Sequence, residues 1–115
     1  MKLKDTLFEI AREARKNSYS PYSKFAVGSA IKFKESDQIY SGCNIENGSF
    51  GGTICAERVA IYKGISELKK QSIEAIMIVT SGENGDYPCG LCLQTISEFS
   101  NDETTVYLAN PTEIK

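Results

Sequence analysis

The sequence has no histidine, no tryptophan and only three prolines in 115 residues. The missing imidazole removes the Ser-His-Asp triad, the Cys-His dyad and every histidine-ligated metal site. Acid and base work falls to carboxylates, lysine, tyrosine or cysteine, and a metal must be held by thiolates and carboxylates. No apolar run approaches the roughly 18 residues that a membrane helix needs. The first residues mix acids and bases through their apolar positions, so no signal peptide is expected. Without a secretion signal, the four cysteines are expected to be reduced, cytoplasmic thiols with a metal or catalytic task rather than a disulfide framework. The composition also excludes collagen, low-complexity disorder and a coiled coil.

Thirteen Lys and Arg against fifteen Asp and Glu give a net charge of −2. The charge is unevenly spread, +5 over residues 1–34 and −7 over the remainder. A basic first third can signal nucleic-acid binding. Here Lys2, Lys4, Arg12, Arg15 and Lys16 instead read as the wet face of a helix, because no basic cluster is interleaved with stacking aromatics.

Leu3, Leu7, Ile10, Ala11 and Ala14 recur at helical spacing and predict a helix over residues 3 to about 16. A turn-rich stretch follows, then a strand from Phe25 to Phe33 in which alternate residues share a face. Residues 39–44 pair back as the second arm of a hairpin. A Gly-rich loop covers residues 45–53, and Thr53 caps a helix running to about Lys70. Residues 73–80 form a continuous apolar run, as in a strand buried on both faces. A short helix over 90–99 and a strand over 104–109 complete the order α, β-hairpin, α, β, α, β. Alternating strand and helix imply parallel pairing with right-handed crossovers. The expectation is one α/β domain over 1–115 with a mixed sheet between helices.

Three cysteines fall at two helix starts. Cys55 stands in Cys55-Ala56-Glu57-Arg58, and Cys89 and Cys92 stand in Pro88-Cys89-Gly90-Leu91-Cys92. A lone C-x-x-C serves redox and metal sites alike. The redox reading leaves Cys55 and Glu57 without a task. In the metal reading, two helix N-termini stabilise thiolates and bring three of them to one Zn2+. Three protein ligands leave a fourth position for water, the arrangement of a catalytic zinc. Zinc lowers that water's pKa toward about 7, and Glu57, two residues past Cys55, is placed to move its proton. A closed structural site with Cys43 as fourth ligand is the non-enzyme alternative; it gives Glu57 nothing to do.

C-x-E with a distant P-C-x-x-C is the zinc deaminase signature in its three-Cys form. The chain resembles the small, all-Cys, homotetrameric cytidine deaminases. The likeness rests on Tyr19-Ser20-Pro21-Tyr22-Ser23-Lys24-Phe25, Gly42-Cys43-Asn44-Ile45-Glu46-Asn47 and the two cysteine motifs, in the family's order over residues 19–99. It implies a three-layer α/β/α fold, with Zn2+ held by Cys55, Cys89 and Cys92 and with Glu57 as proton shuttle. It implies that Asn44 and Glu46 hold the ribose hydroxyls, that Phe25 packs on the nucleoside and that the Ala56 backbone meets the base edge. Arg58 would offset the charge of the thiolates. The activity implied is deamination of cytidine or deoxycytidine in pyrimidine salvage, by a cytoplasmic homotetramer that binds no nucleic-acid polymer and no membrane.

The match departs in two places. Cys92 is followed by Leu93-Gln94 where the family usually has Arg-Gln, which removes one positive charge. The family usually continues with a further strand and a tail whose aromatic residue reaches a neighbour's site, and this sequence runs only to Lys115. Phe50 is a candidate for lining a neighbouring subunit's pocket. Both departures keep open a related deaminase acting on a modified cytosine or another aminated heterocycle. A polynucleotide-editing deaminase is disfavoured by the acidic balance, since phosphate neutralisation needs clustered Lys and Arg.

Overall fold

A computed structural model describes residues 2–49, 52–69, 72–80 and 90–114. The elements are α1 (Leu3–Arg15), β1 (Gly28–Phe33), β2 (Ile39–Cys43), α2 (Ala56–Leu68), β3 (Ile73–Val79), α3 (Gly90–Glu98) and β4 (Thr105–Ala109). The sheet order is β2-β1-β3-β4. β1 pairs antiparallel with β2 and β3, and β3 pairs parallel with β4, with Ala75 opposite Thr105 and Val79 opposite Ala109. The expected mixed sheet and parallel crossover are therefore both present.

Helices cover both faces. Leu7, Phe8 and Ala11 of α1 pack on Ala30, Ala75, Met77, Val79 and Ala109. Ala60 and Ile61 of α2 and Ile96 of α3 pack on Ile31, Phe33, Tyr40, Ile76 and Ile78 from the other side. This explains the apolar run of β3 from Ala75 onward: Ala75, Met77 and Val79 enter one core, Ile76 and Ile78 the other, and neither meets water, while Glu74 interrupts the run near its start and pairs with Lys32. Each fully buried Ile or Leu contributes roughly 1.5–3 kcal/mol of burial.

Two glycines set the layer spacing. A Cβ on Gly28 would lie 2.1 Å from the carbonyl oxygen of Ala11, so only glycine lets β1 approach α1. A Cβ on Gly42 would lie 2.6 Å from the Ala56 oxygen and 2.7 Å from the Ala60 nitrogen. Gly42 thereby seats the first turn of α2 directly on β2. No helix among the described residues is long and apolar enough to cross a membrane.

Three features differ from the sequence reading. β1 begins at Gly28 rather than Phe25, because the Asn44 side chain takes over the backbone there: its Oδ1 accepts from the Val27 N–H at 2.9 Å and its Nδ2 donates to the Phe25 carbonyl at 2.8 Å. Thr53 is not the helix cap. The N-cap of α2 is Cys55, and Thr53 Oγ1 accepts instead from the Asn47 N–H at 3.1 Å. Phe8, outside the spacing that marked α1, is buried with it.

Candidate active site

Cys55 occupies an N-cap, where an oxygen side chain usually accepts from the first-turn N–H groups. Its backbone is extended and no side chain caps the helix. The sulfur is thus placed at the positive end of α2 while the helix forgoes about 1 kcal/mol of capping. Cys92 lies in the first turn of α3 and is fully buried.

Glu57, in the first turn of α2, is only 4% exposed. Burial pushes its carboxyl above the ordinary carboxylate range, and the Cys55 charge adds to that. Its own backbone N–H, the Cys92 side chain and the Arg58 charge pull the other way without reversing the shift. Burial works against the Arg58 charge, but bonds to the sulfurs of Cys55 and Cys92 outweigh it and raise its pKa. Arg58 Nη2 lies 3.9 Å from Cys55 Sγ and donates to the Thr53 carbonyl at 3.2 Å. One guanidinium thus spans both sulfurs and ties the helix start to the loop before it.

The donor chemistry fits zinc: two thiols at helix starts, a cation against both and a buried acid beside them. Cys89, the third ligand of the sequence reading, lies outside the described residues, as do Pro88 and Phe50. Among the described residues, no three His, Cys, Asp or Glu form a metal-holding group.

Cys55 and Glu57 face a cleft of about 270 Å3, also lined by Ser23, Phe25, Val27, Asn44, Glu46, Thr53, Ile78 and Thr80. It opens where β3 ends and α2 begins, the carboxyl-edge crevice of an open α/β sheet. Its size, near the low end for small-molecule sites, suits one compact ligand. Phe25 is 37% exposed and follows Lys24, whose φ of 60° makes the turn that presents the ring. Asn44 is buried; its Oδ1 also accepts from the Ser18 hydroxyl, and since Nδ2 gives one hydrogen to Phe25, its second N–H has no partner among the described residues. Glu46 Oε1 accepts from the backbone N–H groups of Tyr22 and Ser23 at 2.9 and 3.1 Å, and Oε2 accepts from the Ser23 hydroxyl. The Ser23 hydroxyl bond, foremost, holds this carboxyl below the ordinary range, helped by the two backbone N–H groups and Lys24. Ala56 is fully buried at the first position of α2.

Sequence reasoning did not single out Ser23, Val27, Thr53, Ile78 or Thr80 as lining residues. Ser23 stood inside a motif already quoted; Val27, Ile78 and Thr80 look like ordinary strand residues until the topology brings their ends together. Ser29 lies in β1 on the face of Val27. It is fully buried with no partner for its hydroxyl among the described residues, a situation that costs about 1–3 kcal/mol.

The four-sulfur alternative is not built. Cys43 pairs with Gly28, and Gly28 lies against α1, so alternation turns Cys43 to the face opposite α2. Burial also raises its thiol pKa, which keeps the proton on.

Arg58→Ala is expected to retain zinc at saturating metal while moving the activity profile to higher pH. Without the guanidinium, the sulfurs hold their protons to higher pH and the site carries one more uncompensated negative charge. Rate against pH, with metal content measured at each point, checks this; an unmoved profile rejects the role.

The comparisons with known proteins agree with this chemistry. The family model described as "Cytidine and deoxycytidylate deaminase zinc-binding region" matches residues 1–109. Cytidine deaminase of Sporosarcina psychrophila is 43% identical over 106 residues, covering 92% of this chain and 76% of the relative. That of Halalkalibacterium halodurans is 42% identical over 104 residues, covering 90% and 77%. The crystal structure of cytidine deaminase from Burkholderia pseudomallei superposes with a TM-score of 0.87 at 33% identity, over 100% of this chain and 91% of that one. With its three-layer fold, its Cys55-Ala56-Glu57 helix start and its Cys92 helix, the chain belongs to the zinc-binding cytidine and deoxycytidylate deaminase family.

Proposed function

We propose that this chain hydrolyses cytidine and deoxycytidine to uridine and deoxyuridine with release of ammonia, using one Zn2+. The observation that carries the reading is Glu57: a buried acid beside two helix-start thiols, facing a cleft that suits one small molecule. Cys55, Cys89 and Cys92 hold the ion, and Arg58 offsets their charge. When bound, zinc supplies a water of lowered pKa, a source of hydroxide near neutral pH.

The remaining work belongs to side chains. Glu57 accepts the first proton of the attacking water and delivers it to N3 of the ring as the oxygen bonds to C4. It then carries the second proton to the exocyclic amine, which departs as ammonia and leaves the C4 carbonyl of uridine. A carboxyl raised by burial suits both halves of this task better than an ordinary one. The free N–H of Asn44 and the remaining acceptor capacity of Glu46 take the ribose hydroxyls, Phe25 packs on the nucleoside and the Ala56 backbone meets the base edge. A homotetramer acting in cytoplasmic pyrimidine salvage, with no nucleic-acid polymer as partner, is part of this reading and rests on the resemblance.

The test is ammonia release from cytidine, deoxycytidine and N4-substituted analogues, before and after chelation. Release from the unsubstituted nucleosides is expected to stop on chelation and return with zinc. Turnover confined to the substituted compounds would replace this reading with the modified-cytosine one, and turnover indifferent to chelation would refute it.

A further inference from the structure

Ser29 is a buried polar group that the cleft leaves unexplained. Alternation along β1 puts its side chain on the face of Val27 and Ile31, the face that carries α2. Across the sheet it stands opposite Gly42 on one side and Ile78 on the other. Gly42 meets the backbone of Ala56 and Ala60, and Ile78 lines the cleft together with Glu57. Ser29 therefore sits on the sheet floor beneath the first turn of α2, the turn that bears Glu57. Its hydroxyl is fully enclosed and makes no hydrogen bond among the described residues, whereas buried hydroxyls in folded proteins are almost always partnered.

The burial of Glu57 suggests what the hydroxyl is for. That side chain is 4% exposed and stands in the first turn of α2, directly over this part of the sheet. A carboxylate so enclosed needs hydrogen-bond donors in place of water. The Ser29 O–H, enclosed on the floor below and without a partner among the described residues, is the donor at hand.

We propose that Ser29 is a positioning residue for Glu57: the Ser29 hydroxyl donates to the Glu57 carboxylate, directly or through one ordered water, and fixes the rotamer from which Glu57 moves protons. The proposal rests on the deaminase reading above.

The experiment compares zinc-loaded wild type with zinc-loaded Ser29→Ala. The variant is expected to lose about tenfold in kcat, the worth of one hydrogen bond, with KM within about twofold and zinc content unchanged. Its thermal midpoint stays level or rises, because Ala leaves no buried hydroxyl; a purely structural role would lower the midpoint and spare kcat. The crystal structure of the zinc-loaded wild type should place Ser29 Oγ within about 3.2 Å of the Glu57 carboxylate or of a water bonded to it. An unchanged kcat, a change confined to KM, or an Oγ turned to a backbone carbonyl in that structure overturns the proposal. Should the contact be seen while wild type releases no ammonia from cytidine, the deaminase reading fails and the contact stands.

Discussion

Glu57→Gln is expected to abolish turnover, by 10²-fold to 10⁴-fold or more on the usual scale of acid–base catalysis, while the protein stays folded and binds zinc. The amide preserves the volume of a nearly enclosed side chain, so no cavity opens. It can neither take the water's proton nor return one, so both halves of the reaction stall, and KM should change little. Zinc content, kcat and KM together separate this from collapse of the site. Stability gives a second readout with a definite sign. Burial raises the Glu57 carboxyl above its ordinary value of 4.5. A group raised in the folded state contributes stability below its unfolded pKa and loses it as pH rises through the folded one. Metal-free Glu57→Gln should therefore melt higher than metal-free wild type at pH 7. The difference should shrink as the pH falls toward 4. An equal advantage at both pH values would show that the carboxyl is not strained by its burial.

Gly42→Val is expected to break the site from behind. Even the Cβ would stand 2.6 and 2.7 Å from backbone atoms of Ala56 and Ala60, and backbone cannot turn aside as a flexible side chain can. Either β2 or the first turn of α2 must move. Overpacking of this kind costs roughly 1–3 kcal/mol, a fall in thermal midpoint of several degrees for a domain of this size. The chemical loss should be larger. The first turn carries Glu57 and its cap is Cys55, and a displacement near 1 Å can cost about a hundredfold in rate. Scanning calorimetry and metal titration on the same preparation check both halves. A variant with wild-type zinc affinity and kcat would show that β2 does not set the position of α2.

Much of this arrangement was legible beforehand. The order of elements followed from apolar periodicity, and β3 stands out by the run Ala75–Val79, which only a doubly covered strand tolerates. The pairing of Cys55-x-Glu57 with a later C-x-x-C pointed to the chemistry. What the sequence concealed were substitutions of one kind of bonding for another. The extended run from Phe25 alternates correctly for a strand, but Asn44 bonds Val27 and Phe25 through its amide and closes the ladder at Gly28. Thr53 has the better capping side chain, yet the helix starts at Cys55, because Thr53 is occupied by Asn47 through its hydroxyl and by Arg58 through its carbonyl. Val27, Ile78, Thr80 and Ser29 carry no local mark of function. Each acquires its place only when β1 and β3 lie side by side under α2, a contact between segments some fifty residues apart in the chain.

The cleft is lined by Glu57 of α2, Ile78 of β3 and residues of the segments that flank β1, β2, β3 and α2, and among the described residues none of its lining comes from α1. That helix holds the opposite side of the sheet through Leu7, Phe8 and Ala11, and near Phe25 its Arg15 Nε donates to the Ala26 carbonyl. Variation along its outer surface can therefore adjust how much heat the molecule survives while every intact copy keeps its speed and selectivity. For the same reason, α1 is the place to anchor the enzyme to a support or to hang a reporter dye.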